Sequence, residues 1–196
     1  ANVILDGNFH ESVLRVTAPA PLTGNYGFYG AAFGPAASDA DINGQWVVAL
    51  DAADGAGPST TDGCSAITNT AAVAGKIAII DRGTCGFAVK VKNAQNAGAV
   101  GVVIANSSAG TWGSMGGADP TITIPSIIVQ YADGASFKTN APITGGMVDL
   151  PATKAGMDSA GRTRLYSPWI VATGSTFSHF DTTLHPDALM EPFDSP

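Results

Sequence analysis

The chain has 196 residues with 9 Lys and Arg against 16 Asp and Glu, a formal net charge of −7. Nucleic acid is excluded as a partner on this reading, because gripping a polyanion takes clustered cations and here they are few and scattered. Membrane insertion is excluded as well, since the longest apolar runs, such as Ala97–Ala105, fall far short of the roughly 20 residues that span a bilayer. No basic segment followed by an apolar one opens the chain, so the expectation is a mature, soluble protein.

Hydrophobic residues make up 45% of the sequence and charged residues only 13%, with 24 Gly and 12 Pro. Such a composition favours a β-rich structure with many turns, and one domain with appendages is the prior for this length. The two cysteines, Cys64 and Cys85, form no CxxC pair, which argues against a metal site built on them. They suit either a single disulfide in an oxidising compartment or two unrelated free thiols.

In chain order, Val13-Leu14-Arg15-Val16-Thr17 alternates and is rich in β-branched residues, predicting a strand ended by Pro19 and Pro21. Phe28, Tyr29 and Phe33 are expected to cover an edge of the core. A strand is predicted over Trp46–Leu50, then a loop through Asp54-Gly55 and Gly57-Pro58 to Cys64. Gly75–Gly83 is a nearly continuous apolar run bounded by glycines, the pattern of a strand buried on both faces. A helix should follow, capped by Thr84, with Phe87, Val91 and Ala94 inward, Lys90, Lys92 and Asn96 outward, and Gly98 at its C-terminal stop.

Ala99–Asn106 reads as the next buried strand, and strand, helix and strand together make a βαβ unit with parallel strands. Ser107–Asp119 is a glycine-rich loop displaying Trp112 and Met115. Short strands are predicted at Ile122–Ile124 and Ile127–Val129, a helical turn at Ala132–Phe137 and a last strand at Ile143–Leu150. The composition shifts at Pro151, and the segment beyond it holds two of the three histidines.

The residues Gly75-Lys76-Ile77-Ala78-Ile79-Ile80-Asp81-Arg82-Gly83-Thr84-Cys85, then Phe87, Lys90, Asn93-Ala94-Gln95, Ala97-Gly98-Ala99 and Gly101–Asn106, carry a specific pattern. With Ile124-Pro125-Ser126-Ile127, Asp133-Gly134 and Asp62-Gly63-Cys64, it resembles the protease-associated (PA) domain over residues 12–150. The resemblance implies an α+β, β-rich fold: an open-sided β-barrel or sandwich flanked by short helices. It also supports a disulfide between Cys64 and Cys85. PA domains are non-catalytic modules inserted into or appended to proteases and other proteins, so it implies protein or peptide binding, with a parent protease's catalytic domain as partner. Trp112 and Met115 are the candidate ligand contacts, since Met and Trp on a loop suit adaptable apolar recognition.

Residues 1–11 form an N-terminal segment and 151–196 a C-terminal extension. In the latter, Gly174–Asp181 and Leu189-Met190-Glu191-Pro192 look like the third-ligand and Met-turn region of secreted leishmanolysin-like zinc metallopeptidases. The resemblance would make His179 the third zinc ligand of a complete parent enzyme and Met190 the methionine of its turn. Such a site also needs an HExxH helix. His10-Glu11 lacks the second histidine, so that helix would lie upstream of Ala1 and the chain alone is expected not to be catalytic. Asp39, Asp41, Asp51, Asp54 and Asp62 form an acidic, glycine-rich stretch with some capacity for calcium, although no D-x-D-x-D-G loop is present. The overall expectation is a secreted, extracellular binding module of a bacterial protease, recognising its substrate or shaping access to its active site.

Overall fold

The computed structural model describes residues 10–37, 42–110 and 112–154, with side chains from 12 to 148. Among these residues eight strands form one curled sheet: β1 (His10–Ala18), β2 (Gly24–Tyr26), β3 (Tyr29–Gly30), β4 (Gly44–Val48), β5 (Ile77–Asp81), β6 (Gly101–Ala105), β7 (Ser126–Val129) and β8 (Ile143–Lys154). The order across the sheet is β2-β1-β8-β4-β5-β6-β7-β3. Strands β4 to β7 are parallel to one another, and antiparallel pairs flank them, β8 on β4 and β3 on β7. Helices α1 (Thr70–Val73), α2 (Phe87–Asn96) and α3 (Tyr131–Asn140) complete the fold with a short 3-10 turn at Ala20–Leu22. Leu14–Val148 is one compact unit.

The parallel strands exist because their sequence has nothing to show to water. All five residues of β6 and the first four of β5 are buried, the signature of a sheet covered on both faces. Ala78, Ile80, Val102, Ile104 and Ile128 point to one side, where Val91 and Ala94 of α2 pack with Phe33 and Met115. Ile77, Ile79, Val103, Ile127 and Val129 point to the other, against Phe137 of α3, Trp46 and Leu14. Trp46 and Tyr26 both meet the Phe137 ring edge-on, at 5.5 and 4.9 Å between centroids, an arrangement the ring quadrupoles favour.

The expected βαβ unit is present as β5-α2-β6, with Ile77 opposite Gly101 and Asp81 opposite Ala105. Gly98 follows the helix at φ +85°, as a C-terminal stop requires. Two local expectations are corrected. Thr84 does not cap α2: its φ is +56°, outside the extended range a cap needs, and the cap position falls to Gly86. Ile122–Ile124 forms no strand, because local groups rather than a neighbouring strand satisfy its amides. Gln95 Oε1 accepts from the Thr123 amide at 2.7 Å, and Asp119 O accepts from that of Ile122 at 3.2 Å.

Candidate functional site: a crevice at the carboxyl ends of the parallel strands

Parallel strands that end together leave backbone groups and the first loop residues facing outward around one hollow, so in open α/β sheets ligands gather outside the carboxyl ends. Here β5 ends at Asp81 and β6 at Ala105. The ladder frays outward through the amide of Arg82, which donates to Ala105 O, and that of Asn106, which donates to Val129 O. Around these ends lies a crevice of about 290 Å³, walled by the 58–62 loop, by Arg82-Gly83-Thr84, by Asn106-Ser107 and by Tyr131, Ala135 and Lys138 of α3.

Its polar groups are held in place. Asp81 accepts from Thr61 Oγ1 at 2.6 Å through one oxygen and pairs with Lys138 Nζ through the other. Arg82 Nη1 donates to Asn106 Oδ1 at 2.9 Å, and the guanidinium lies 5.5 Å above the centre of the Phe87 ring, so a hydrogen bond and a cation–π contact orient it. Asn106 is fixed in turn by Ser107 and Ser108. Tyr131 stands 47% exposed at the rim. The arrangement offers a fork of guanidinium donors, an ammonium and an aromatic ledge, a set suited to carboxylates, carbonyls and the apolar parts of a peptide.

The side of the crevice nearest the cysteines is stapled. Cys64 and Cys85 form the expected disulfide, with 5.7 Å between their Cα atoms. Behind it, Lys90 is completely buried, a correction to its expected outward position. Its ammonium donates to Asp62 O at 2.5 Å and lies 3.3 Å from Cys64 Sγ, while Asn93 Nδ2 donates to Gly63 O at 2.9 Å. Burial lowers the Lys90 pKa from its ordinary value, and the charges of Asp62, Asp51 and Asp81 counter the effect in part. Gly63, at φ +63° and against Ile80, is the turn that lets the Asp62 and Gly63 carbonyls face α2.

The other sequence candidates fall elsewhere. Met115 is a core residue with no exposed surface, and its backbone is tied to Gly30 and Ala32. Trp112 is half-buried and meets Tyr29 edge-on at 4.8 Å between centroids. Neither lines the crevice. Asp51, Asp54 and Asp62 are acceptors for local donors, from the amides of Ser65, Ala56 and Cys64 respectively, and no group of three or more His, Cys, Asp or Glu able to hold a metal occurs among the described residues. Asp39, Asp41, His179 and Met190 lie outside the described residues. Among those residues no helix is long and apolar enough to cross a membrane.

Arg82, Asn106, Tyr131 and Lys138 were not singled out as site residues by sequence. The signal available was positional: Asn106 directly follows the fully apolar β6, and Arg82 follows the apolar run Ile77–Ile80 after a single aspartate.

Residues 42–137 match the family described as the PA domain. A 51-residue stretch is 51% identical to ER degradation-enhancing alpha-mannosidase-like protein 3 of Homo sapiens, covering 26% of this chain and 6% of that protein. A 60-residue stretch is 50% identical to an aminopeptidase of Pseudomonas aeruginosa, covering 31% of this chain and 11% of that one. The chain thus corresponds to a small part of either relative. Among solved structures, a zinc aminopeptidase from Bacillus subtilis aligns at TM-score 0.49 and 19% identity, over 73% of this chain and 31% of that one. An aminopeptidase from an Aneurinibacillus strain aligns at TM-score 0.45 and 22% identity, over 76% and 37%.

Proposed function

We propose that this chain, whose residues 42–137 are a PA domain, acts as the non-catalytic protein- or peptide-binding part of a secreted bacterial protease, bringing substrate to the catalytic domain or shaping access to it. The observation that carries the reading is the crevice at the ends of β5 and β6, lined by the cations Arg82 and Lys138 and by Tyr131 at its rim. Both cations are held by partners from neighbouring segments of the crevice, Arg82 by Asn106 and Lys138 by Asp81, so a peptide meets donors already in place and little ordering cost falls on binding. The aminopeptidase relative supports the protease setting. Trp112, half-buried beside Tyr29, stays in the proposal as a second apolar contact beyond the crevice.

The test is enrichment of peptides from a proteome-derived mixture on the immobilised chain, followed by affinity measurement for the enriched sequences by fluorescence anisotropy. Arg82→Ala and Lys138→Ala are each expected to weaken binding about tenfold, the loss of one charge-assisted hydrogen bond. No enrichment by the wild-type chain, or affinities that both substitutions leave unchanged, would overturn the reading.

A further inference from the structure

The two sulfurs of the Cys64–Cys85 disulfide sit in unequal surroundings. Cys64 is buried and Cys85 is partly open to solvent. Two donors converge on Cys64 Sγ, the Lys90 ammonium at 3.3 Å and the Cys85 amide at 3.3 Å, and among the described residues none is aimed in the same way at its partner. Lys90 cannot swing away, because its ammonium is also bound to Asp62 O in the core. Asp62, Gly83 and Thr84, the residues that flank this bond in space and sequence, line the crevice.

Thiol–disulfide exchange is decided by which sulfur can be reached and by which leaves more easily as thiolate. A neighbouring ammonium stabilises a thiolate. Both criteria select the same direction here. We propose that the disulfide is a directional thiol-exchange site, at which a low-molecular-weight thiol adds to Cys85 and expels Cys64 as a thiolate held by Lys90. In the step, the incoming thiol gives its proton to solvent and its sulfur attacks Cys85 Sγ. A new S–S bond forms to Cys85, the Cys64–Cys85 bond breaks, and its electron pair leaves on Cys64. One disulfide replaces another, so the step itself needs no oxidant, and a second thiol molecule completes reduction. The adduct on Cys85 stands at the crevice wall, next to Thr84, and frees the 58–64 loop from its covalent tie to the start of α2. The site thereby couples the thiol content of the medium to the shape of the crevice.

The test treats the folded, oxidised 196-residue chain with glutathione at neutral pH, quenches with acid, alkylates the remaining thiols and maps both labels by peptide mass spectrometry. The expected result is glutathione on Cys85 and alkyl label on Cys64, in at least about tenfold excess over the reverse. Glutathione mainly on Cys64, an even split, or no adduct on the folded protein would overturn the proposal. Lys90→Met should slow adduct formation about tenfold and Lys90→Arg should restore the rate. A Lys90→Met protein that folds and reacts at the wild-type rate would also overturn it. Because the regiochemistry is read on the wild-type chain, the proposal stays testable even if that variant fails to fold.

Discussion

A lysine stripped of water has to be repaid by its neighbours, and Lys90 is repaid by a carbonyl, a sulfur and the field of Asp62, Asp51 and Asp81. Burial still lowers its pKa below the ordinary 10.5. The folded chain therefore gives up this proton before the unfolded chain does, and stability from this residue rises as the pH climbs through the folded value towards the ordinary one. Urea unfolding of the wild type and Lys90→Met at pH 7 and pH 10 is expected to show the difference moving in favour of the wild type at the higher pH.

Asp119 shows the opposite sign. The hydroxyl and amide of Thr121 bind its carboxylate and hold its pKa below the ordinary 3.8. Its contribution is present above that value and is lost as the pH falls through the lowered one. The destabilisation caused by Asp119→Asn, measured at pH 6, should accordingly fade in the same urea experiment as the pH is taken below 3.8.

At the scale of the element, α3 lies on the sheet through a glycine. A Cβ at Gly134 would meet Ala105 Cβ at 2.6 Å and its Cα at 2.8 Å, so helix and β6 approach backbone to backbone. Gly134→Ala would gain about 1 kcal/mol of helix propensity but would force the helix off the strand, an overpacking cost of about 1–3 kcal/mol. The net expectation is a lower melting temperature by calorimetry together with weaker peptide binding, because Tyr131 and Lys138 move with the helix.

Elements were legible in the sequence where burial was two-sided. Ile77–Ile80 and Gly101–Ala105 are apolar without interruption, and the helix between them repeats Phe87, Val91 and Ala94 at the right interval. Lys90 was not legible, although it lies four residues before Ala94 on the inward side of the helix. A lysine there reads as outward until its partners are known, and they lie at positions 62–64, on the loop between β4 and α1. The crevice was hidden for the same reason: its walls come from four separate segments that only the sheet order brings together. Met115 misled in the other direction, since glycines on both sides suggest display, whereas here they let the backbone tuck in and pair with Ala31.

For the whole molecule, the covalent tie spans 21 residues and, in the chain-entropy account, contributes about 3 kcal/mol. The Cys64→Ala, Cys85→Ala double variant should lose that much in denaturant unfolding. The loss should be larger than for a surface substitution, because Lys90 then faces a core with one acceptor fewer.

The sheet order also sets how mechanical load would travel. The first and last long strands, β1 and β8, are immediate neighbours, and Thr17 Oγ1 donates to Thr144 O across them at 3.1 Å. Tension applied through the chain at the two ends of this unit is met first by that pair of strands. Strand β4 stands between it and β5 and β6, whose ends carry the crevice. Load entering through β1 and β8 therefore reaches β5 and β6 only by way of β4.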